Sequence, residues 1–434
     1  MHTDHASQGG RLALRLGLLV LLATVVFPLD AEAAGPAAAR DPRTVTITLV
    51  GDVGLNPTNQ RVDPKGVYDN GFQTWTDTTA SIAADINGDL NFLNLETVVT
   101  DRNDLPPDLK GQSGPFNFRM HPNGLKHLVA IGFNVVSLAN NHSMDYGVRG
   151  LEDTLKHAGA LKGSGLLAAS GIGLDREAAS RPEVVTVKGW EIAFSALGIV
   201  TNNLERHRAG PGKPGQIAYR FDDDFAEVRR RLSAEPASFR MLSIHYGVEG
   251  QVRADAKQIA EWRGLAAAKD GIDLIVGHHA HVVRGVELNG RSLIFYGLGN
   301  FLHHGTANMT SKGICRDWGL MARVHLAAGP DGRLETEAVE AIPVTDTHMK
   351  PRRLASESGA ARVHVLNYLA ATLDDPATGA RGLRFAPQKD GSGLFCADGA
   401  VKIADRIGAL CRNFAAPPAI PDRLRLQIAA SCSR

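Results

Sequence analysis

What most constrains the fold of this chain is a rhythm of short apolar runs that each stop at a polar cluster. Thr44–Val50 stops before Gly51-Asp52, Leu90–Leu95 at Glu96, and Asn134–Leu138 before Asn140-Asn141-His142. Glu191–Leu197 stops at Gly198, and Arg240–Ile244 at His245-Tyr246-Gly247. Asp273–Val276 runs into Gly277-His278-His279-Ala280-His281, and Ser292–Tyr296 into Gly297-Leu298-Gly299-Asn300-Phe301. Runs this short and mostly continuous are what strands covered on both faces require. Helical patterns alternate with them at Thr78–Asn87, Gly124–Ile131, Val148–His157, Asp222–Leu232 and Ala254–Lys269. Such alternation predicts an α/β fold. Met321–Leu326 and Leu334–Ile342 read as an antiparallel pair, so the expectation is a mixed sheet system with two sheets packed together.

Charge excludes several function classes. The 434 residues carry 47 Lys+Arg against 46 Asp+Glu, a net charge of +1. This is not a polybasic nucleic-acid binder, an acidic tail protein or a disordered chain. Residues 1–33 read as a secretory signal peptide: Arg11 and Arg15, an apolar run Leu12–Phe27, then Ala31-Glu32-Ala33 as a cleavage site. The stretch after Arg15 is shorter than the roughly 20 apolar residues a span needs. An uncleaved membrane anchor is the alternative. The expected location is periplasmic or extracellular, with residues 34–43 as a linker. Four cysteines, Cys315, Cys396, Cys411 and Cys432, form no CxxC pair, so a thiolate metal site is not indicated. Export allows two disulfides, with Cys396–Cys411 preferred because both lie in the irregular C-terminal region. Buried free thiols are the alternative. Residues 348–434 read as a C-terminal extension with helices at Ser356–Leu373 and Val401–Cys411 and no legible chemistry.

Ligands of open α/β sheets bind outside the carboxyl ends of the strands. Asp52, Glu96, Asn141, His142, His245, His279 and His281 all follow such runs. Carboxylate, amide oxygen and imidazole without thiolate suit one or two ions of Mn, Fe, Zn or Mg. After an extended strand, His279 and His281 are expected to project to one side. Singly, each residue has a plainer reading: a turn or cap for Asp52, Asn141 and His142, an ion pair for Glu96, a hydrogen-bonded core residue for His245. Their recurrence at strand after strand is what favours a site. His142, Asp145 and Glu249 are the catalytic candidates, with Asp145 and Tyr146 placed to orient His142. Arg119, His278 and Asn300 are the substrate-binding candidates, and His303 and His304 are read as facing the cleft. Gly51-Asp52-Val53-Gly54 lacks the spacing of a phosphate-binding loop, and Ser137 and Ser243 lack a nucleophile-elbow context.

These motifs resemble the CapA family, associated with poly-γ-glutamate capsule synthesis. The matching pieces are Gly51-Asp52, Asn94-Leu95-Glu96, the run from Gly132 to His142 with Asp145-Tyr146-Gly147, His245-Tyr246-Gly247-Val248-Glu249, Asp273 to His281, and Leu298-Gly299-Asn300-Phe301. They span a domain of residues 44–347. That family is in turn similar to calcineurin-like metallophosphoesterases, which implies a four-layer α/β/β/α sandwich with a metal centre at the strand ends. By motif, Asp52 matches the first aspartate, Asn141 the amide ligand, His142 the histidine beside the scissile group, His245 the isolated histidine ligand, and His279 and His281 the final pair. Glu96 is assigned the bridging carboxylate. One departure stands out: the pattern Asp-x-His is here Asp52-Val53-Gly54. The resemblance then implies a single tight ion, or two with one weak. It implies a metal-dependent hydrolase or transferase acting on a phosphoester or on the γ-glutamyl amide of an exported anionic polymer. The alternative is a non-catalytic envelope assembly factor that binds the polymer or a membrane synthase complex.

Overall fold

A computed structural model describes residues 44–433, apart from 56–59, 69–70, 112, 201, 268–270, 307 and 404–405. The signal peptide and linker expected over 1–43 lie outside the described residues. The chain runs β1 (Val45–Gly54), β2 (Leu90–Leu95), α1 (Pro122–Ala130), β3 (Val135–Ser137), α2 (Gly147–Leu161) and β4 (Ala168–Ser170). It continues through β5 (Glu183–Val187), β6 (Trp190–Leu197), α3 (Asp222–Ala234), β7 (Phe239–His245), α4 (Ala256–Ala266) and β8 (Leu274–His278). Next come β9 (Val286–Asn289), β10 (Ser292–Phe295), β11 (Asn300–His303), β12 (Gly319–Ala328), β13 (Leu334–Thr345) and α5 (Ser356–Ala371). The last strands are β14 (Arg381–Gly382), β15 (Ala386–Pro387) and β16 (Gly393–Cys396), followed by a helix at Asp422–Cys432.

Two mixed sheets result. The first has the order β15-β16-β13-β12-β1-β2-β3-β4, with β11 also beside β1. The second has the order β5-β6-β7-β8-β10-β9-β14. Strand parity explains how they stack, because alternate side chains leave opposite faces. Ile47, Leu49 and Phe92 from the first sheet meet Phe194, Met241 and Val276 from the second in one shared core. The other face of the first sheet, with Leu93, Leu95 and Val136, packs on Leu125 and Leu128 of α1 and Leu151 of α2. The other face of the second, with Leu242, Ile244 and Ile275, packs on Val228 and Leu232 of α3 and Trp262 of α4. The order is helix, sheet, sheet, helix: the four-layer sandwich expected above.

Residues 348–433, expected as an extension, add strands to both sheets: β16 pairs β13 and β14 pairs β9. Val363, Leu366 and Leu369 of α5 enter the shared core. The helix expected at Thr78–Asn87 is instead Trp75–Thr79 and a separate turn at Ala83–Asp85. Hydroxyls of Thr78 and Thr79 donate back to the carbonyls of Thr74 and Trp75, which competes with helix continuation. Val401–Cys411 is likewise broken, into Ala400–Lys402 and Arg406–Cys411. The cysteines are not free thiols: Cys396 pairs Cys411, as preferred, and Cys315 pairs Cys432. Among the described residues, no helix is long and apolar enough to cross a membrane.

Gly51 shows how closely β1 and its neighbour approach. A Cβ there would lie 1.8 Å from the carbonyl oxygen of Gly299, which accepts the Asp52 N–H at 3.0 Å. Neither backbone can yield without breaking that bond. Gly51→Ala is therefore expected to cost about 2–3 kcal/mol and to lower the thermal midpoint by several degrees. Gly159 in α2, with open space around its Cβ position, is the control, and Gly159→Ala should not lower it.

Candidate metal centre

The parity that builds the shared core also aims the polar residues. In β2, Phe92 points between the sheets, so Asn94 and the next alternate position, Glu96, point there too. In β7, Phe239 and Met241 point inward and His245 continues the series. In β8, Leu274 and Val276 do so and His278 follows. Asp52 arrives differently. Ile47 and Leu49 face the shared core while Val53 faces the helices, because the β1–β2 register shifts between Leu49 and Asp52. That irregularity turns Asp52 toward the same space.

His279 and His281 are not on an extended segment. β8 ends at His278, and the two residues take positive φ of 80° and 55°. Left-handed backbone at two nearly adjacent non-glycine residues is strained and is held only where surrounding structure enforces it. Both rings are nonetheless delivered to the cluster. The His279 N–H donates to Asp52 Oδ2 at 3.2 Å.

Glu96 is the centre. It is fully buried, and neither carboxylate oxygen has a hydrogen-bond partner of good geometry. His245 Nε2 lies 3.3 Å from Oε1, His142 Nε2 3.8 Å and His281 Nε2 4.0 Å. His245 Nε2 is also 2.7 Å from Asn141 Oδ1 and 3.1 Å from His279 Nδ1. Ligands of a tetrahedral ion with bonds of 2.0–2.1 Å stand about 3.4 Å apart. Glu96, His245 and His279 offer donors at comparable separations, and Glu96, His281 and His303 form a second such group. A buried carboxylate without hydrogen-bond donors, facing several imidazole nitrogens, fits a divalent cation.

Further residues fix these groups. Asp52 Oδ1 accepts from Asn94 Nδ2 at 2.9 Å and lies 3.0 Å from His278 Nδ1. His281 Nδ1 is 2.8 Å from Asn300 Oδ1, which leaves its Nε2 toward Glu96. His142 Nδ1 is 2.7 Å from Asp145 Oδ2. A carboxylate only accepts, so the proton sits on Nδ1 and Nε2 is left toward Glu96. Asp145 also accepts the Phe118 N–H at 2.6 Å and pairs with Lys110. Phe118 packs on the His142 ring at 4.1 Å.

Electrostatics suit a cation. Burial and Glu96 both raise the Asp52 pKa, yet His278 and His245 bring it below its ordinary value. Burial raises that of Glu96, but His245, His281 and His303 hold it well below. Burial, with His245 and His281, pushes His279 well down. Burial lowers that of His281, but Glu96, Asp52 and Glu249 raise it overall. Burial keeps His142 low despite Asp145. The centre thus holds two carboxylates kept ionised by their imidazole neighbours, with the His279 and His142 rings pushed toward the neutral form.

All six residues named as ligands, and His142, come together. Other expectations are revised. His278 lies behind Asp52, packed against Phe92 at 5.5 Å, and is 1% exposed. Asn300 orients His281. Asp145 positions His142. Glu249 is exposed and reaches His281 only through charge. Arg119 is engaged by the Gln60 carbonyl at 3.0 and 3.2 Å and lies over the Tyr146 ring. His304 is buried, its pKa down to about 4 through burial and His303. The sequence assigns no role to Lys110, and names Asn94 only as part of the Asn94-Leu95-Glu96 motif. Asn94 shares the parity of Glu96, a usable signal, whereas Lys110 comes from a loop without periodicity.

Residues 46–304 match the family model described as bacterial capsule synthesis protein PGA_cap. A probable polyglutamine synthesis accessory protein of Mycobacterium tuberculosis is 31% identical over 220 residues, 49% of this chain and 55% of the relative. The PGA biosynthesis protein CapA of Bacillus subtilis is 28% identical, over 54% of this chain and 58% of its own. The capsule biosynthesis protein CapA of Bacillus anthracis is 26% identical, over 66% of each. The chain thus spans between about half and two thirds of the relatives' lengths. Among solved structures, the Haemophilus influenzae NAD nucleotidase overlaps 72% of this chain and 60% of its own at 16% identity, with a TM-score of 0.38.

Proposed function

The chain belongs to the bacterial capsule synthesis protein family, and on that premise we propose that it is an exported, metal-dependent hydrolase or transferase of capsule polymer synthesis. Its substrate would be a phosphoester or the γ-glutamyl amide of an anionic polymer. The observation that carries this is Glu96, a fully buried carboxylate with no hydrogen bond and imidazole nitrogens at 3.3 Å from each oxygen. Export is supported by the N-terminal sequence pattern and by two disulfides, which persist in oxidising compartments.

Glu96, His245, His279 and Asn141, with Asp52 and His281 alongside, would hold a divalent cation, which would supply Lewis acidity toward water and toward a phosphoryl or acyl oxygen. The protein's own residues do the rest. Asn94 and His278 lock Asp52, and Asn300 locks His281. His142, kept toward its neutral form by burial, takes at Nε2 the proton released by the attacking nucleophile and gives it to the leaving group. Asp145 stabilises the resulting imidazolium through Nδ1–H and, with Phe118, fixes the ring.

The test is turnover of an aryl phosphodiester and of poly-γ-glutamate by the purified full chain loaded in turn with Mn, Fe, Zn and Mg. His142→Ala should lower kcat by about 10²–10⁴ with metal content unchanged. No turnover with any metal on either substrate rejects the hydrolytic reading. The second reading, a non-catalytic partner of a synthase, is favoured by the description of the Mycobacterium relative as an accessory protein. It requires polymer binding that survives chelator and His245→Ala.

A further inference from the structure

His303 is not among the six ligands assigned above, yet it faces the second oxygen of Glu96. It is 1% exposed, and neither ring nitrogen has a hydrogen-bond partner. A polar ring buried this way is costly unless a partner takes its lone pair. Its Nε2 lies 3.3 Å from Glu96 Oε2, the oxygen not used toward His245. The ring stands edge-on to that of His281 at 4.9 Å, and Phe118 packs against it at 5.2 Å. Its orientation is therefore set from two sides.

The position it fills is also informative. β11 runs parallel to β1 with His303 opposite Gly54. A Cβ on Gly54 would lie 2.4 Å from His303 Nε2, 2.7 Å from Cε1 and 2.8 Å from Cδ2. The His303 ring occupies the room that any side chain at 54 would need. Gly54 is the residue at which the sequence lacks an imidazole.

We propose that His303 is a ligand of a second cation position, formed with His281 and Glu96 Oε2 and joined to the first through the Glu96 carboxylate. The imidazole missing from β1 is supplied by β11. The position takes a first-row divalent ion, since imidazole and carboxylate donors suit Mn, Fe or Zn. This rests on the metal reading of the centre.

The experiment counts bound metal without reference to activity. Wild type, His303→Ala, His303→Gln and the double variant Gly54→His/His303→Ala are stripped, titrated with zinc, and measured by equilibrium dialysis with elemental analysis. Cobalt(II) absorption reports each coordination environment. Expected are two ions for wild type and one for His303→Ala and His303→Gln, the second affinity falling by at least ~100-fold. The double variant should regain the second ion. His303→Gln retains volume, and melting curves of the apo variants show which are folded. Two ions of unchanged affinity in either folded single variant overturn the assignment. One ion in wild type, unaltered by the substitutions, overturns it while leaving the first position intact. No ion in wild type overturns both readings.

Discussion

Glu96→Gln is expected, on the metal-dependent function proposed above, to empty the centre of metal and to lower kcat/KM by at least about 10³-fold, a loss near 4 kcal/mol of transition-state stabilisation. The substitution keeps shape and volume and removes only charge and an oxygen donor. Each Glu96 oxygen faces a different set of imidazoles, so no neighbouring carboxylate can take over both roles. Asp52 is held by Asn94 and His278. The apo protein should remain folded, because the variant exchanges a buried charge for a neutral group of the same size. Elemental analysis of the purified variant, beside its melting curve and turnover, checks this directly. Retention of one ion would place Glu96 in one position rather than between two. Retention of full metal content and turnover would remove the carboxylate from the chemistry.

The part of this centre legible in the sequence is the part governed by strand parity. Leu90–Leu95 is a strand with the bounds its apolar run indicates, and Glu96 follows in phase with Phe92. His245 and His278 follow in phase with Met241 and Val276 in the same way. What parity cannot carry is a change of backbone phase. The irregularity before Asp52 reverses the face of β1, and the left-handed turns at His279 and His281 replace an extended segment. Nor can a local pattern foresee that β11 returns beside β1, which is how His303 reaches Gly54. Glu249 illustrates the opposite error. It is near His245 in sequence, but the turn after β7 leads it to solvent. The charge of Arg119 suggests an anionic partner, whereas its guanidinium donates to the main-chain carbonyl of Gln60.

Removing the Cys315–Cys432 bond is expected to destabilise the fold more than removing Cys396–Cys411. The two bonds close segments of 117 and 15 residues. Chain-entropy arguments give about 5 kcal/mol for the long loop and about 3 kcal/mol for the short one. The long one also ties the terminal helix to the sandwich. Ile428 of that helix is buried in the core shared by the sheets, and the Ser431 carbonyl accepts from Arg316 Nη1 at 2.8 Å. Arg316 Nε donates at 3.0 Å to the Gly250 carbonyl, in the loop that follows His245. The bond therefore holds the terminal helix on the sandwich and, through Arg316, ties it to the loop after His245. Thermal unfolding of Cys315→Ser and Cys396→Ser, with metal removed to isolate the fold, measures the difference. A larger fall for Cys396→Ser, or equal falls, would show that loop length does not govern these bonds.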